Sequence, residues 1–425
     1  MFQKLLLLFK IRELRNKIIF VLFLLSIFRL ASTIPVPGVD VERLRSFFAG
    51  NQFLGLLNLF SGGALSNLSI IMLGVGPYIT SSIIMQLLTM IFPAFKEMYH
   101  EAGEQGRQKF NQYSRMLTVP LAIVQAFSFI KLLQSNQIIL QISQFQMLTN
   151  ILLITAGTVF IMWIGELISE KGIGNGISLI IFAGIVAKIP EVLRQAILTF
   201  DVSQIPMLVS FVAMTIAVIA GVVMITEAQR NIPVSYAKKI RGNRVYGGAT
   251  TYLPLRINQA GVIPIIFALS IMLFPGMISS FLSATSIAWL SNFAASVSGI
   301  FQNQLFYGIL YFILVVIFTF FYTAITFDPK AISENIQKQG GFITGIRPGK
   351  STADFLYYIL NRITLAGALF LGLIAVMPFL VQWGMGLSTT MTIGGTALLI
   401  AVSVVLETSK QIDSQLVMRD YEGFR

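Results

Sequence analysis

Few side chains in this chain of 425 residues could support catalysis. Cysteine is absent and histidine occurs once, as His100, so thiolate nucleophiles and Cys/His metal sites are excluded. His100 has no partner at ligand spacing, which favours an ordinary surface histidine. The motifs HExxH and GxSxG of metalloproteases and serine hydrolases do not occur in the sequence. We therefore expect neither an enzyme nor a bound cofactor or metal ion.

Two glycine-rich stretches approach nucleotide-binding loops but depart from them. Gly345-Ile-Arg-Pro-Gly-Lys-Ser351 has three residues between its glycines, whereas a Walker A loop needs four and a preceding strand. In Gly172-Ile-Gly-Asn-Gly-Ile177, isoleucine occupies the last glycine position of the dinucleotide fingerprint. A basic turn is the better interpretation of residues 345–351, and direct nucleotide binding is not expected.

Composition indicates the class of protein. Charged residues make up 11% of the chain, less than half of the roughly 25% typical of soluble domains, and hydrophobic residues reach 55%. A soluble fold with this balance could not cover its surface with polar groups, so the chain is expected to be a polytopic membrane protein. The net charge of +12 suggests loops that face a polyanion or the negative inner side of a bilayer.

Long apolar runs predict ten membrane-spanning helices, because a span needs about 20 mainly apolar residues. The predicted spans are 18–34, 69–92, 116–134, 149–169, 176–197, 207–227, 257–276, 304–325, 359–380 and 389–407. With both termini in the cytoplasm, only five basic residues fall on the opposite side and Arg29 falls inside a span, which leaves 24 of the 30 on the cytoplasmic side. This bias predicts that orientation.

The ten spans divide into two groups of five. We predict a cytoplasmic amphipathic segment at 1–17, a first half at 18–198, a second half at 199–407 and a cytoplasmic tail at 408–425. An odd number of spans in each half would make the halves inverted relative to each other. A cleaved signal peptide is the alternative for the N-terminus, but Arg29 interrupts its apolar run.

The region between the first two spans is unusual. Residues 53–65 are apolar but too short to span, and Ser61-Gly62-Gly63 breaks them. Such interrupted segments at membrane depth face protein or a cavity, so a half-helix that dips into the protein from outside, held by packing alone, is predicted. An interfacial helix lying on the membrane surface is the alternative.

Five stretches together resemble the SecY/Sec61-alpha family of protein-conducting channels, and the match runs in order over nearly the whole chain. They are Asn58-Leu-Phe-Ser-Gly-Gly-Ala-Leu-Ser66, Gly74-Val-Gly-Pro-Tyr-Ile79 with Ile84-Met-Gln-Leu-Leu88, Glu170-Lys-Gly-Ile-Gly-Asn-Gly-Ile-Ser178, Leu253-Pro-Leu-Arg-Ile-Asn-Gln-Ala-Gly-Val-Ile-Pro264 and Gly345-Ile-Arg-Pro-Gly349. Val75 and Gly76 depart from the family's more usual choices.

The resemblance implies an all-α fold of two inverted five-helix halves around an hourglass pore with a lateral opening toward lipid. It implies a constriction ring of Val75, Ile79, Ile177, Ile181, Ile266 and Ile400. It also implies a plug at about 55–66, including Leu57, Phe60, Ser61, Gly62, Gly63 and Leu65. Gln86 and Asn258 match polar positions of the lateral gate.

The implied function is passage of unfolded preproteins across the bacterial plasma membrane and lateral release of transmembrane segments. The implied partners are SecE, SecG, the SecA motor, the ribosome, preprotein signal sequences and membrane lipid. The long basic loops 228–256 and 326–358 are the expected docking sites, through Lys238, Lys239, Arg241, Arg244, Arg347 and Lys350.

A secondary transporter of a small solute, built from broken helices, is the alternative. The sequence shows no intramembrane carboxylate pair, which weighs against ion coupling, because Glu166, Glu227 and Glu407 fall at cytoplasmic ends of spans. Arg29 lies deeper in its span, where it could pair with a carbonyl group or line a water-filled space. A membrane enzyme is the remaining, more distant alternative.

Overall fold

The protein is described from a computed structural model. The described residues are 11–37, 61, 63–65, 67–100, 102–135, 143–198, 205–236, 239–241, 244–246, 250–283, 289, 292–293, 296, 299–301, 303–385 and 394–422. Within these ranges the chain is mostly helical, and every predicted span overlaps a helix.

In the first half, the described ranges contain six helices. They are α1 (Arg12–Ala31), α2 (Gly76–Ile91), α3 (Pro93–His100), α4 (Gly103–Ser135), α5 (Gln144–Glu170) and α6 (Gly176–Leu198). Helix α1 runs without a break through the predicted boundary at residue 17. Helix α5 begins with a capping box, in which the Gln146 amide N–H donates to Ser143 Oγ and the Ser143 amide N–H donates to Gln146 Oε1.

In the second half, six helices and five strands have defined bounds among the described residues. The elements are α7 (Ile205–Glu227), β1 (Gln229–Tyr236), β2 (Lys239–Arg241), β3 (Arg244–Tyr246), β4 (Thr250–Arg256), α8 (Ile263–Ser283), α9 (Gln304–Thr326), α10 (Pro329–Lys338), β5 (Gly341–Ile343), α11 (Lys350–Met385) and α12 (Gly394–Glu422). The strands correct the all-α prediction, because they turn both predicted cytoplasmic loops into folded structure.

The strands form two antiparallel sheets. One has the order β4-β1-β5 and the other is the hairpin β2-β3. Along β1, Ile232 and Val234 point inward while Asn231 and Pro233 are exposed, which is the alternation of a half-buried strand. They share an apolar cluster with residues of α10, β5 and α11, including Ile336, Ile343 and Leu356. The two loops therefore form one subdomain with its own core, which we call the cytoplasmic subdomain after its predicted location.

Four of the described helices are long and apolar enough to cross a membrane, and a fifth span results if α2 and α3 count as one. The helix pair is bent by 114° at Phe92 and Pro93. Membrane-spanning helices are therefore present, whereas the count of ten stays a prediction.

The second helix starts later than predicted. The predicted span began at residue 69, but residues 70–75 form turns and α2 begins at Gly76. Two local features explain the start. Gly74 has a φ of +55°, a left-handed conformation that favours glycine, and Pro77 stands in the first turn of α2, where its missing N–H leaves no hydrogen bond unmade.

The largest core cluster draws on both predicted halves, with buried residues from α1, α2, α5, α6, α7, α8, α9, α11 and α12. A second, smaller cluster joins α4 and α5 to the segment between the first two spans. The halves contact each other along two seams, one where α8 packs on α2 and α4 and another where α12 packs on α6. These seams frame the candidate site.

Candidate channel site

Four helices bring the six predicted ring residues into the same region. Helices α2, α6, α8 and α12 carry or adjoin them; five belong to the large apolar cluster and the sixth, Ile177, packs against it. Five are buried, with exposed fractions of at most 6%, and Ile177 is half-buried; the buried five are Val75, Ile79, Ile181, Ile266 and Ile400. The structure thus brings the six together, and their role as a ring stays a prediction.

Ile177 is positioned by the start of α6. The amide N–H groups of Ile177 and Ser178 donate to Asn175 Oδ1 at 3.0 and 3.2 Å, so Asn175 caps the helix. Ile177 Cγ1 would lie 3.1 Å from a Cβ built on Gly165 of α5. Part of the Ile177 side chain therefore packs against α5 at Gly165.

The predicted plug lies only partly within the described residues. Leu57, Phe60 and Gly62 lie outside them, whereas Ser61, Gly63 and Leu65 are described. The Leu65 amide N–H donates to Ser61 Oγ at 3.0 Å, and the Leu65 side chain is buried with α4 and α5. The end of the segment is thus anchored on the first half.

Two cationic side chains approach this segment at Gly63. A Cβ built on Gly63 would lie 3.1 Å from Lys188 Cε and 3.6 Å from Arg29 Nη1. Gly63 has a φ of +86°, so an L side chain there would also be strained. The aliphatic part of Lys188 on α6 and the guanidinium of Arg29 on α1 thus lie near this part of the segment, and that packing alone holds the segment stays a prediction. The sequence singled out Arg29, but it did not predict that this side chain lies near Gly63.

A short backbone pairing holds the segment that follows. The Ile70 amide N–H donates to the Ile34 carbonyl oxygen at 3.0 Å, and the Val36 amide N–H donates to that of Leu68 at 2.8 Å. On the other side, a Cβ on Gly157 of α5 would lie 2.2 Å from the Ile70 carbonyl oxygen. Residues 68–70 are therefore fixed between α5 and the exit of α1.

The two predicted gate residues belong to facing elements of the two halves. Gln86 lies on α2 and Asn258 lies just before α8, which packs on α2. Gln86 Oε1 and Asn258 Oδ1 are buried, and neither has a hydrogen-bond partner among the residues that the structure describes. An unsatisfied buried oxygen typically destabilises a state by about 1–3 kcal/mol. The elements on the two sides of this seam therefore carry two buried oxygens that water or a ligand group could satisfy.

The cytoplasmic subdomain presents Arg347 on a fixed turn. Gly349 has a φ of +95°, and its carbonyl oxygen accepts from Ser333 Oγ of α10 at 2.7 Å. The Arg347 carbonyl oxygen accepts from Thr352 Oγ1 at 3.0 Å. The side chains of Arg347 and Lys350 are exposed.

The other predicted docking cluster lies on the β2-β3 hairpin. Lys238 lies outside the described residues. For Lys239, Arg241 and Arg244 the structure describes the backbone, which belongs to the antiparallel pairing of this hairpin.

Comparison with known proteins identifies the family. The SecY family model matches residues 69–409. A protein translocase subunit SecY from Streptomyces galbus is 43% identical over 98% of each chain, and one from Thermotoga maritima is 44% identical over 98% of this chain and 96% of its own. The chain belongs to the SecY family. It is accordingly a protein translocase subunit of the membrane and not an enzyme.

Solved structures support the fold. A structure described as that of a protein conducting channel aligns with a TM-score of 0.63 at 18% identity, covering 94% of this chain and 91% of its own. A second, from a study of how the SecY plug domain stabilises the closed channel, aligns with a TM-score of 0.63 at 19% identity, covering 94% of this chain and 92% of its own. This SecY-family chain therefore shares their fold.

Three polar contacts in the SecY-family chain were not anticipated from sequence. Arg115 of α4 forms an ion pair with Glu166 of α5. Lys410 Nζ of α12 lies 2.8 Å from Glu227 Oε1 of α7. The third contact joins α12 to the turn at Gly172–Gly174. For the two ion pairs, the sequence offered one signal, a basic residue and a carboxylate at the same predicted depth. For the contact between α12 and the turn, it offers no comparable signal.

Proposed function

We propose that this chain is the channel-forming subunit through which unfolded preproteins cross the bacterial plasma membrane. The supporting observation is that six aliphatic side chains, on or next to four helices of both halves, lie in or against one apolar cluster; they are Val75, Ile79, Ile177, Ile181, Ile266 and Ile400. A narrow apolar neck dewets when empty and so blocks ions without a charge. The same side chains can yield around a peptide of any sequence, because dispersion contacts are non-directional.

The plug closes the outer side of this neck. Its proposed extent, about 55–66, ends at residues whose backbone is held by α5 and the exit of α1. Displacement would therefore pivot near residues 67–70, with Leu65 leaving its contact with α4 and α5. Arg29 and Lys188 flank the segment at Gly63, so they contribute to its closed position.

Lateral release of hydrophobic segments uses the seam between α2 and α8. Gln86 Oε1 and Asn258 Oδ1 have no hydrogen-bond partners among the described residues, so two buried oxygens lack hydrogen bonds in the closed state. Opening would admit water or a signal sequence that supplies donors. The arrangement of ten spans in inverted halves and the cytoplasmic placement of both termini belong to this proposal.

The driving force comes from partners. The sequence offers no ATP-binding loop, so SecA or the ribosome must supply directional movement from the cytoplasmic subdomain. Arg347 and Lys350 are exposed there on a turn fixed by Ser333 and Thr352, and such a basic surface suits acidic protein or phosphate. SecE and SecG are the proposed accompanying subunits.

Reconstitution tests the proposal. The chain, co-purified with its small partner subunits, is placed in vesicles with SecA, ATP and a preprotein that carries a signal sequence. We expect ATP-dependent protection of the preprotein from added protease, and no protection of a version without a signal. Protection that is equal with and without the channel would refute the proposed function.

A further inference from the structure

Two glutamine side chains near the C-terminal end of α12 form hydrogen bonds with the turn between α5 and α6. Gln411 Oε1 accepts a hydrogen bond from the Gly174 amide N–H at 2.5 Å, and Gln415 Nε2 donates to the Gly172 carbonyl oxygen at 2.6 Å. The two glutamines are four residues apart and so share one face of α12. We call this arrangement, Gln411 and Gln415 with Gly172 and Gly174, the glutamine clasp. It joins the two halves through side chain to backbone contacts.

The clasp depends on close approach of α12 to the turn. Gly172 and Gly174 have φ values of +74° and +82°, which favour glycine. A Cβ on Gly174 would lie 3.0 Å from Thr408 Oγ1 of α12, and one on Gly172 would lie 3.3 Å from Gln415 Nε2. Because these gaps leave no room for a side chain, α12 can occupy only a narrow range of positions on the turn.

The same turn is also hydrogen-bonded to α5 and to the start of α6. Ser169 Oγ of α5 accepts from the Gly176 amide N–H at 2.9 Å, and Asn175 Oδ1 accepts from the amide N–H groups of Ile177 and Ser178. The turn is therefore hydrogen-bonded to α5, to the start of α6 and to α12. Movement of α12 at the clasp must strain one of these bonds.

The two helices joined by the clasp both carry predicted ring residues. Ile177 and Ile181 lie on α6 and Ile400 lies on α12, three turns before Gln411. Because successive residues of a helix are about 100° apart, a shift of one residue in α12 would turn Ile400 away from its neighbours. The seam between α8 and α2, in contrast, leaves Gln86 Oε1 and Asn258 Oδ1 unsatisfied within the described chain.

We infer that Gln411 and Gln415 are positioning residues that set the rotation and height of α12 on α6 and thereby keep the apolar neck closed at rest. This inference rests on the proposed channel function. Loss of the clasp would let Ile400 leave the neck, which admits water and lowers the dependence of opening on a strong signal sequence.

The two glutamines allow a test with paired substitutions, because one accepts and the other donates. Gln411→Glu keeps an acceptor for the Gly174 amide N–H, whereas Gln415→Glu removes the donor to Gly172 and sets a carboxylate against a carbonyl oxygen. We expect Gln411→Leu and Gln415→Glu to raise resting ion leak in planar bilayers about fivefold, the equilibrium effect of one net hydrogen bond. Gln411→Glu is expected to stay near wild type.

Two further measurements separate positioning from folding and from channel function itself. Lys410→Met removes the ion pair with Glu227 of α7, on a position of α12 next to the clasp, and is expected to leave the leak unchanged. Export of a reporter with a weakened signal should rise in Gln411→Leu and Gln415→Glu at wild-type levels of assembled channel. If wild-type channel translocates but Gln411→Leu and Gln415→Glu match it in leak and export, the inference is refuted. If wild-type channel translocates nothing, the proposed function fails instead.

Discussion

Gly176 at the start of α6 touches the carbonyl group of Gly165 on α5. A Cβ on Gly176 would lie 1.8 Å from the Gly165 oxygen and 2.9 Å from Cβ of Ile168. Both distances are far inside van der Waals contact, so any side chain would push the two helices apart. The glycines of this turn are therefore needed for helix packing, which is a physical reason for the motif that first suggested a nucleotide loop.

This contact predicts that Gly176→Ala destabilises the first half. Overpacking of this kind typically lowers the free energy of unfolding by about 1–3 kcal/mol. Thermal unfolding in detergent should show a lower midpoint. Gly76→Ala is the matched control, since a Cβ there meets no atom within 4 Å. An equal loss in both variants would contradict the proposed packing.

Ile400→Asn tests the apolar neck. An amide in the neck favours water and would shift the balance toward opening by about 1–3 kcal/mol, the range for a partly unsatisfied buried amide. We expect more resting ion leak and export of a reporter whose signal sequence is weakened. Ile313→Asn is the control, since Ile313 on α9 is 45% exposed, and should mainly impair insertion. The ring assignment fails if both variants export the reporter equally.

Arg347→Glu tests docking at the cytoplasmic subdomain. The side chain is exposed on a turn that Ser333 and Thr352 hold through backbone carbonyl groups, so charge reversal should leave the fold intact. We expect loss of SecA-driven translocation with normal membrane insertion. Lys330→Glu places the same charge change on exposed α10 and should be tolerated. Normal SecA-driven transport by Arg347→Glu would remove Arg347 from the docking surface.

Gly63→Ala tests the closed position of the plug. Gly63 has a φ of +86°, where an L residue is disfavoured by about 1–2 kcal/mol, and its new Cβ would press on Lys188 Cε. Loosening of the plug should raise resting conductance. Gly340→Ala introduces a comparable strain at a φ of +73° in open space, far along the chain. Conductance that is unchanged in Gly63→Ala would show that Gly63 is not part of the seal.

Hydropathy predicted where helices lie because the bilayer demands long apolar runs, and each predicted span overlaps a helix. It placed the start of α2 seven residues early, since turn residues such as Ile70 and Met72 are as apolar as helical ones. It also missed the five strands, of which β2, β3 and β5 have only three residues each, too few for a recognisable alternating pattern.

The candidate site was only partly accessible from sequence. The apolar ring came from a resemblance, because an isoleucine in a span has the same pattern whether it faces lipid, core or pore. The clasp was missed for a different reason. Gln411 and Gln415 meet residues 237 and 243 positions away, and uncharged side chains give no pairing signal at that distance.

One of the connections between the cytoplasmic subdomain and the predicted membrane region is a long helical rod. Helix α11 begins at Lys350, beside the docking turn, and continues without interruption to Met385, a length of about 54 Å. Leu356 and Ile359 fasten its first turns to the sheet, so the sheet and the rod must tilt together. A partner that rotates the sheet by about 5° would move the far end of α11 by about 5 Å, which is roughly one helical turn. By this lever action, a small rotation of the cytoplasmic subdomain would displace the far end of α11, which belongs to the predicted membrane region.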